Sequence, residues 1–202
     1  MANTLYLECN TGISGDMSVA ALLDLGADRD VLMKVLNSIP AKGFEVKVSR
    51  VKKAGIDCCD FAVLLDKDHE NHDHDMEYLY GKTGNCGCNH EHTHQEGHHE
   101  HAHSHDGEHE HTHSHTHHHE HRGMKEIREI LSACVMTERA RALALKIFEV
   151  LARAEAKAHG VSLEEVHFHE VGAIDSIVDI VAAAVCLDNL DITKVIVRRL
   201  CE

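Results

Sequence analysis

Between Val166 and Asp179 the chain reads VHFHEVGAIDSIVD, which places imidazoles and carboxylates close together in sequence. If the first residues are extended, His167 and His169 point the same way with Glu170 beside them. If a helix follows, Asp175 and Asp179, four apart, share one of its faces. Two imidazoles and two carboxylates could converge here, a set able to ligate a divalent cation. The helix is otherwise apolar almost all round, through Ile177, Val178, Ile180, Val181, Val185 and Leu187. A carboxylate on such a helix costs free energy unless it is paired, binds metal or sits at the exposed start. A structural reading stays open beside the functional one, with Asp175 as a helix cap and the histidines as satisfied core groups.

A second constellation is the loop Cys9-Asn-Thr-Gly-Ile-Ser-Gly15, leading from a short apolar strand into a helical pattern. Backbone N–H groups at Gly12, Ser14 and Gly15 could cradle an anion at the helix start. The loop is no Walker P-loop, since it lacks Lys and its glycine spacing differs. Asp16 either caps that helix or serves as a ligand.

The third constellation is compositional. Residues 66–122 hold 19 of the 22 histidines. His-x-His repeats run through His90, His92, His94, His98, His99, His101, His103, His105, His109, His111, His113, His115, His117, His118, His119 and His121, with Cys86-Gly-Cys88 just upstream. Neutral imidazole suits nickel, copper and zinc, so the tract is expected to gather soft divalent metal; affinity alone does not select nickel among them. The bland alternative is a solvated low-complexity spacer. Because the segment has no apolar periodicity, it is expected to be a disordered insertion between two folded parts, 1–65 and 123–202.

Those parts must supply the elements that position the residues above. Leu5–Glu8 reads as a strand, Asp16–Leu25 and Asp28–Ile39 as helices, and Phe44, Val46 and Val48 as the inward face of a strand. Phe61–Leu65 completes a hairpin turning around Ala54–Asp57. Helices are predicted over Met124–Ala133 and Thr137–His159, the latter burying Leu143, Ile147, Val150, Leu151 and Ala154 and closed by Gly160. Ser162–Glu165 has capping-box spacing for a short helix, Asp175–Leu190 reads as a buried helix, and Val195–Val197 as a last strand. The expected fold class is α+β (α/β), a small sheet packed with helices and interrupted by the insertion.

Composition narrows the function. Aromatics make up 3% of the 202 residues with no Trp, and the formal charge is -14, of which residues 66–122 carry 13 of the 34 acidic side chains and three of the 20 basic ones. With no basic stripe, no nucleic-acid partner is expected. No apolar run approaches a membrane span and no export leader is seen, so the expectation is a cytoplasmic protein with its eight cysteines reduced, some of them available to metal.

Gly12-Ile-Ser-Gly-Asp-Met17, the His/Glu-rich insertion and Val166–Asp179, in this order, resemble the LarC nickel-insertion proteins. The resemblance implies insertion of Ni(II) into pyridinium-3,5-bisthiocarboxylic acid mononucleotide, with nickel bonded to two sulfurs and one ring carbon, for lactate racemase-type enzymes. It implies a CTP-dependent lyase that uses Mn(II) or Mg(II), with a nucleotide-binding C-terminal half that this sequence lacks, so that a C-terminal half or partner chain is expected. Self-association stays open. Asp16, His167, His169, Glu170, Asp175 and Asp179 are the candidate catalytic residues; Gly12, Ser14 and Gly15 are the candidate binding loop. Two other classes compete. One is a nickel store or metallochaperone without catalysis. The other is a metal-dependent hydrolase, for which the residues outside the insertion are too few to make a TIM barrel.

Overall fold

The computed structural model describes residues 2–10, 12–66, 122–168 and 172–200, all in one unit of the chain. The histidine tract, with His90 to His121, lies outside the described residues, and so do His169 and Glu170.

The elements run in the order β1 (Asn3–Cys9), α1 (Gly15–Asp24), α2 (Arg29–Leu36), β2 (Phe44–Lys53), β3 (Ile56–Leu65), β4 (Arg122–Gly123), α3 (Met124–Ala133), α4 (Glu138–His159), β5 (His167–Phe168), α5 (Ile174–Asn189) and β6 (Ile192–Leu200). The class is mixed α and β, as expected. Among the described residues, the single small sheet of the sequence reading is replaced by three two-stranded ladders: β1 with β6 in parallel, β2 with β3 and β4 with β5 antiparallel.

Helix α5 is the centre of the core because its sequence leaves it no polar face to show to water. Ile177, Val178, Val181, Ala182 and Ala184 are inaccessible to solvent, and α1, α2 and α4 pack around them. Phe148 of α4 meets Phe168 of β5 with ring centroids 6.0 Å apart and planes tilted by 58°. Helix α1 lies between α5 and β3, which brings its first turn to the polar start of α5.

Several predicted elements form, and the structure shows what holds their ends. Thr137 caps α4 by accepting from Ala140 N at 3.1 Å, and Asp28 caps α2 by accepting from Asp30 N at 2.8 Å. Gly160 closes α4 in the left-handed region, φ 67°, a conformation in which Cβ would crowd the backbone. The β2–β3 hairpin turns at Ala54 and Gly55, φ 50° and 81°, between the paired residues Lys53 and Ile56, the signature of a type I′ turn.

Two predictions are corrected. The buried stripe of α4 is Ala140, Ala144, Phe148 and Ala152; Val150 and Ala154 are exposed, while Leu143 and Leu151 flank the core. Small alanines let the α4 backbone approach α5 closely, and that advantage outweighs the size of the side chains left outside. Ser162–Glu165 forms no helix. Half of the box forms: Glu165 Oε2 accepts from Ser162 N at 3.2 Å, but Ser162 Oγ donates to the same oxygen at 2.8 Å and Glu165 N donates to Ser162 O. It closes a single turn, because Val166 and Phe168 must go directly into the core.

Candidate functional site

The start of α1 meets α5 at close quarters. Asp179, on the second turn of α5, lies against Gly15 at the start of α1, so tightly that a Cβ on Gly15 would stand 2.7 Å from both Cβ and Cγ of Asp179. Only a glycine fits there. Among the described residues, Asp179 Oδ1 is a buried side-chain oxygen with no hydrogen-bond partner. An orphaned carboxylate oxygen is costly and calls for an explanation.

Two more carboxylates act on it. Burial pushes the Asp179 carboxyl up to about 6, and the charges of Asp16 and then Asp175 add to the rise. Asp16 sits in the first turn of α1 and accepts from Ser14 Oγ. Ser14 is the N-cap residue of α1 by position, but its hydroxyl does not cap; its carbonyl accepts from Ser18 N at 3.0 Å and Ser18 Oγ at 2.7 Å. Asp175 lies in the first turn of α5 and accepts from Ser176 N at 2.8 Å, while Ala173 holds the cap position. The structure thus brings Asp16, Asp175 and Asp179 into one electrostatic group. Four-residue spacing on α5 foretold Asp175 with Asp179. The addition of Asp16 depends on α1 packing across α5, a contact between residues far apart in sequence.

His167 sits elsewhere. It pairs with Gly123 across the β4–β5 ladder and is exposed, and it is absent from the charges that act on Asp179. Its neighbour is Glu126, whose carboxylate accepts from Gly123 N at 2.8 Å. The Glu126 carboxyl is lowered first by its own backbone N–H, then by Gly123 N–H, with smaller contributions from Lys125 and His167. Sequence reasoning passed over Glu126; its position three residues after Gly123, at a helix start, was the available signal.

Gly12, at φ 88°, bridges to Asn10, and Gly15 opens α1. Where the sequence suggested N–H groups awaiting an anion, two carboxylates of the protein, Asp16 and Asp179, already stand at the helix start, which disfavours a phosphate there. Among the described residues, no group of three or more His, Cys, Asp or Glu converges closely enough to hold a metal ion. Among the described thiols, Cys9, Cys134 and Cys186 are buried and Cys58 and Cys59 partly exposed, and burial, followed by the neighbouring Cys59, pushes the Cys186 thiol up to about 12; Cys86 and Cys88 lie outside the described residues. Among the described residues, no helix is long and apolar enough to cross a membrane.

Residues 5–201 match the family model described as nickel insertion protein. The chain is 48% identical over 202 residues to the pyridinium-3,5-bisthiocarboxylic acid mononucleotide nickel insertion protein of Alkaliphilus metalliredigens, covering all of this chain and 40% of that protein. It is 43% identical over 196 residues to the protein of the same name from Clostridium acetobutylicum, covering 96% of this chain and 43% of that one. The chain therefore spans less than half the length of these relatives. No solved structure matches it.

Proposed function

From the premise that this chain belongs to the nickel insertion protein family, we propose that it takes part in inserting Ni(II) into pyridinium-3,5-bisthiocarboxylic acid mononucleotide, the activity its relatives are named for. In this reading nickel is the metal substrate. The imidazoles of residues 90–121 form an insertion that gathers it, and the folded part, 1–65 with 123–202, works on the precursor.

One observation carries the role of the folded part: the orphaned, half-buried Asp179, raised to about 6 and held against Gly15. Bonding nickel to a ring carbon that bears hydrogen breaks a C–H bond. Its electron pair becomes the nickel–carbon bond, and the proton must go to a base. A carboxylate raised to about 6 is well matched to accept that proton near neutral pH. Asp16 and Asp175 keep it basic, and His167, His169 and Glu170 are assigned to guiding the incoming metal or precursor.

CTP and its Mn(II) or Mg(II) do not fit the described residues, because the glycine loop that opens α1 is crowded by carboxylates and no donor trio is present among those residues. We assign them, and the lyase chemistry they support, to the length that the relatives have and this chain does not span. The place of action is the cytoplasm. A nickel store is the second reading, favoured by the number of tract histidines alone.

The test combines this chain with the remaining part of the Alkaliphilus metalliredigens protein, precursor, Ni(II), CTP and Mg(II), and reads nickel-pincer product by mass spectrometry. Asp179→Asn should slow insertion by about 100-fold, a typical share for a general base. Nickel uptake in equilibrium dialysis should not change. Deleting residues 67–121, which spares β4 and its Arg122, should do the reverse, cutting nickel stoichiometry while insertion survives at high nickel. A deletion that abolishes insertion at every nickel concentration favours the store, and undiminished insertion by folded Asp179→Asn removes the proton-acceptor role.

A further inference from the structure

The β1–β6 ladder is built for a covered position and is only partly covered by the described residues: Leu5 packs on the core and Cys9 and Ile192 are buried, while the middle of β6 stays open. Its register sets Leu5 beside Val195, Tyr6 beside Ile196 and Leu7 beside Val197. Neighbours in a parallel ladder share a face, so Val195 and Val197 lie on one side with Leu5 and Leu7, and Ile196 lies on the other with Tyr6. A continuous Val-Ile-Val run is the pattern of a parallel strand buried on both faces. Yet Val195, Ile196 and Val197 are 46%, 38% and 48% exposed, and Tyr6 is 48% exposed.

Two-stranded parallel sheets do not normally stand alone with apolar residues open to water on both sides. Among the described residues β6 pairs only with β1, so within them its far edge keeps unpaired N–H and C=O groups, the template on which another strand adds. Lys194 and Arg198 flank the apolar run, are exposed, and make no ion pair among the described residues. They suit an incoming strand with acidic ends. The length of the relatives says where that strand comes from: the Alkaliphilus metalliredigens protein matches this chain throughout and has more than half its length left over.

We propose that the β1–β6 ladder is a docking edge, on which the part of the family's length not spanned by this chain adds an apolar strand along β6 and covers Tyr6 and Ile196. The proposal rests on the reading above that this chain works together with that remaining part.

The test uses the full 202-residue chain and the remaining part of the Alkaliphilus metalliredigens protein made as a separate polypeptide. Hydrogen exchange of residues 194–198 should slow by at least about 10-fold on mixing, while exchange in the β2–β3 hairpin stays as it was. Ile196→Asp should weaken the complex by at least about 30-fold in calorimetry, with unchanged circular dichroism. Three results overturn the proposal: no complex, a complex in which 194–198 exchange as before, or protection that grows with the concentration of this chain alone, which assigns the edge to a second copy. The exchange measurement needs no variant, so a misfolded Ile196→Asp protein does not rescue it. Insertion activity in the same mixture separates the two readings. Product formed with β6 unprotected removes the docking edge only, and a protected β6 without product removes the insertion reading only.

Discussion

Helix α5 carries an aspartate near each end, and the fold treats the two in opposite ways. Asp188, in the last turn, accepts from Thr137 Oγ1 at 2.6 Å and from Arg139 Nη1 at 3.1 Å, and Arg139 also donates to Ile192 O at 2.6 Å. That network joins the start of α4 to the passage from α5 into β6. Asp179, two and a half turns earlier, has a buried oxygen with no partner and two like charges nearby. One carboxylate is placed where it stabilises; the other is held where it costs. Local strain of the second kind concentrates where chemistry is done, which is why the end of α5 that faces Gly15, and not the better bonded end, is the candidate site.

The sharpest break of this comparison is functional. Asp188→Asn should leave reconstituted insertion within about twofold of the intact protein, while Asp179→Asn lowers it by about 100-fold. Equal losses from both would show that the two ends are both structural. The next effect is on stability. Asp188→Ala leaves Thr137 Oγ1 without its acceptor and Arg139 Nη1 with Asp191 alone, so it should cost about 1–3 kcal/mol, read from the urea midpoint. Gly15→Ala should cost a similar amount, about 1–3 kcal/mol, by forcing α1 away from α5. A melting temperature unchanged by Gly15→Ala would mean that the two helices are not in contact as described.

The ends of α5 also show what the sequence could and could not convey. Its burial was legible from Ile177 to Leu187, because an all-round apolar pattern has only one place to go, and the pairing of Asp175 with Asp179 followed from helical spacing. Gly15 was legible as a special position, but its reason was not: it makes room for a side chain from α5, and no local pattern reports a contact spanning so much of the chain. The same limit hid the buried stripe of α4, where Ala140, Ala144 and Ala152 were passed over for larger residues because helix–helix distance is a tertiary quantity. His167 was placed with the carboxylates by adjacency in sequence, yet the β4–β5 ladder carries it to Glu126.

The smallest expected effect is the most specific, because its sign separates the two ends of α5. A carboxyl whose folded value is about 6, against an ordinary value of 3.8, binds its proton more tightly when folded. Between those two values the folded state holds more protons than the unfolded one, so stability from this group falls as pH rises through the window. Below about pH 4 the group is protonated in both states and the penalty is absent; above about pH 6 it is fully present. Asp179 is only half-buried, so solvent screening reduces the penalty to about 1–2 kcal/mol. Asparagine has nearly the shape of the protonated acid and no charge. Asp179→Asn should therefore be more stable than the intact protein at pH 7 by about 1–2 kcal/mol and no more stable at pH 4, as measured by urea unfolding at the two pH values. A structural role would give the opposite sign, with the variant less stable at pH 7, as a lost partner demands. A variant that gains stability while losing insertion identifies a group kept for its chemistry at the expense of the fold.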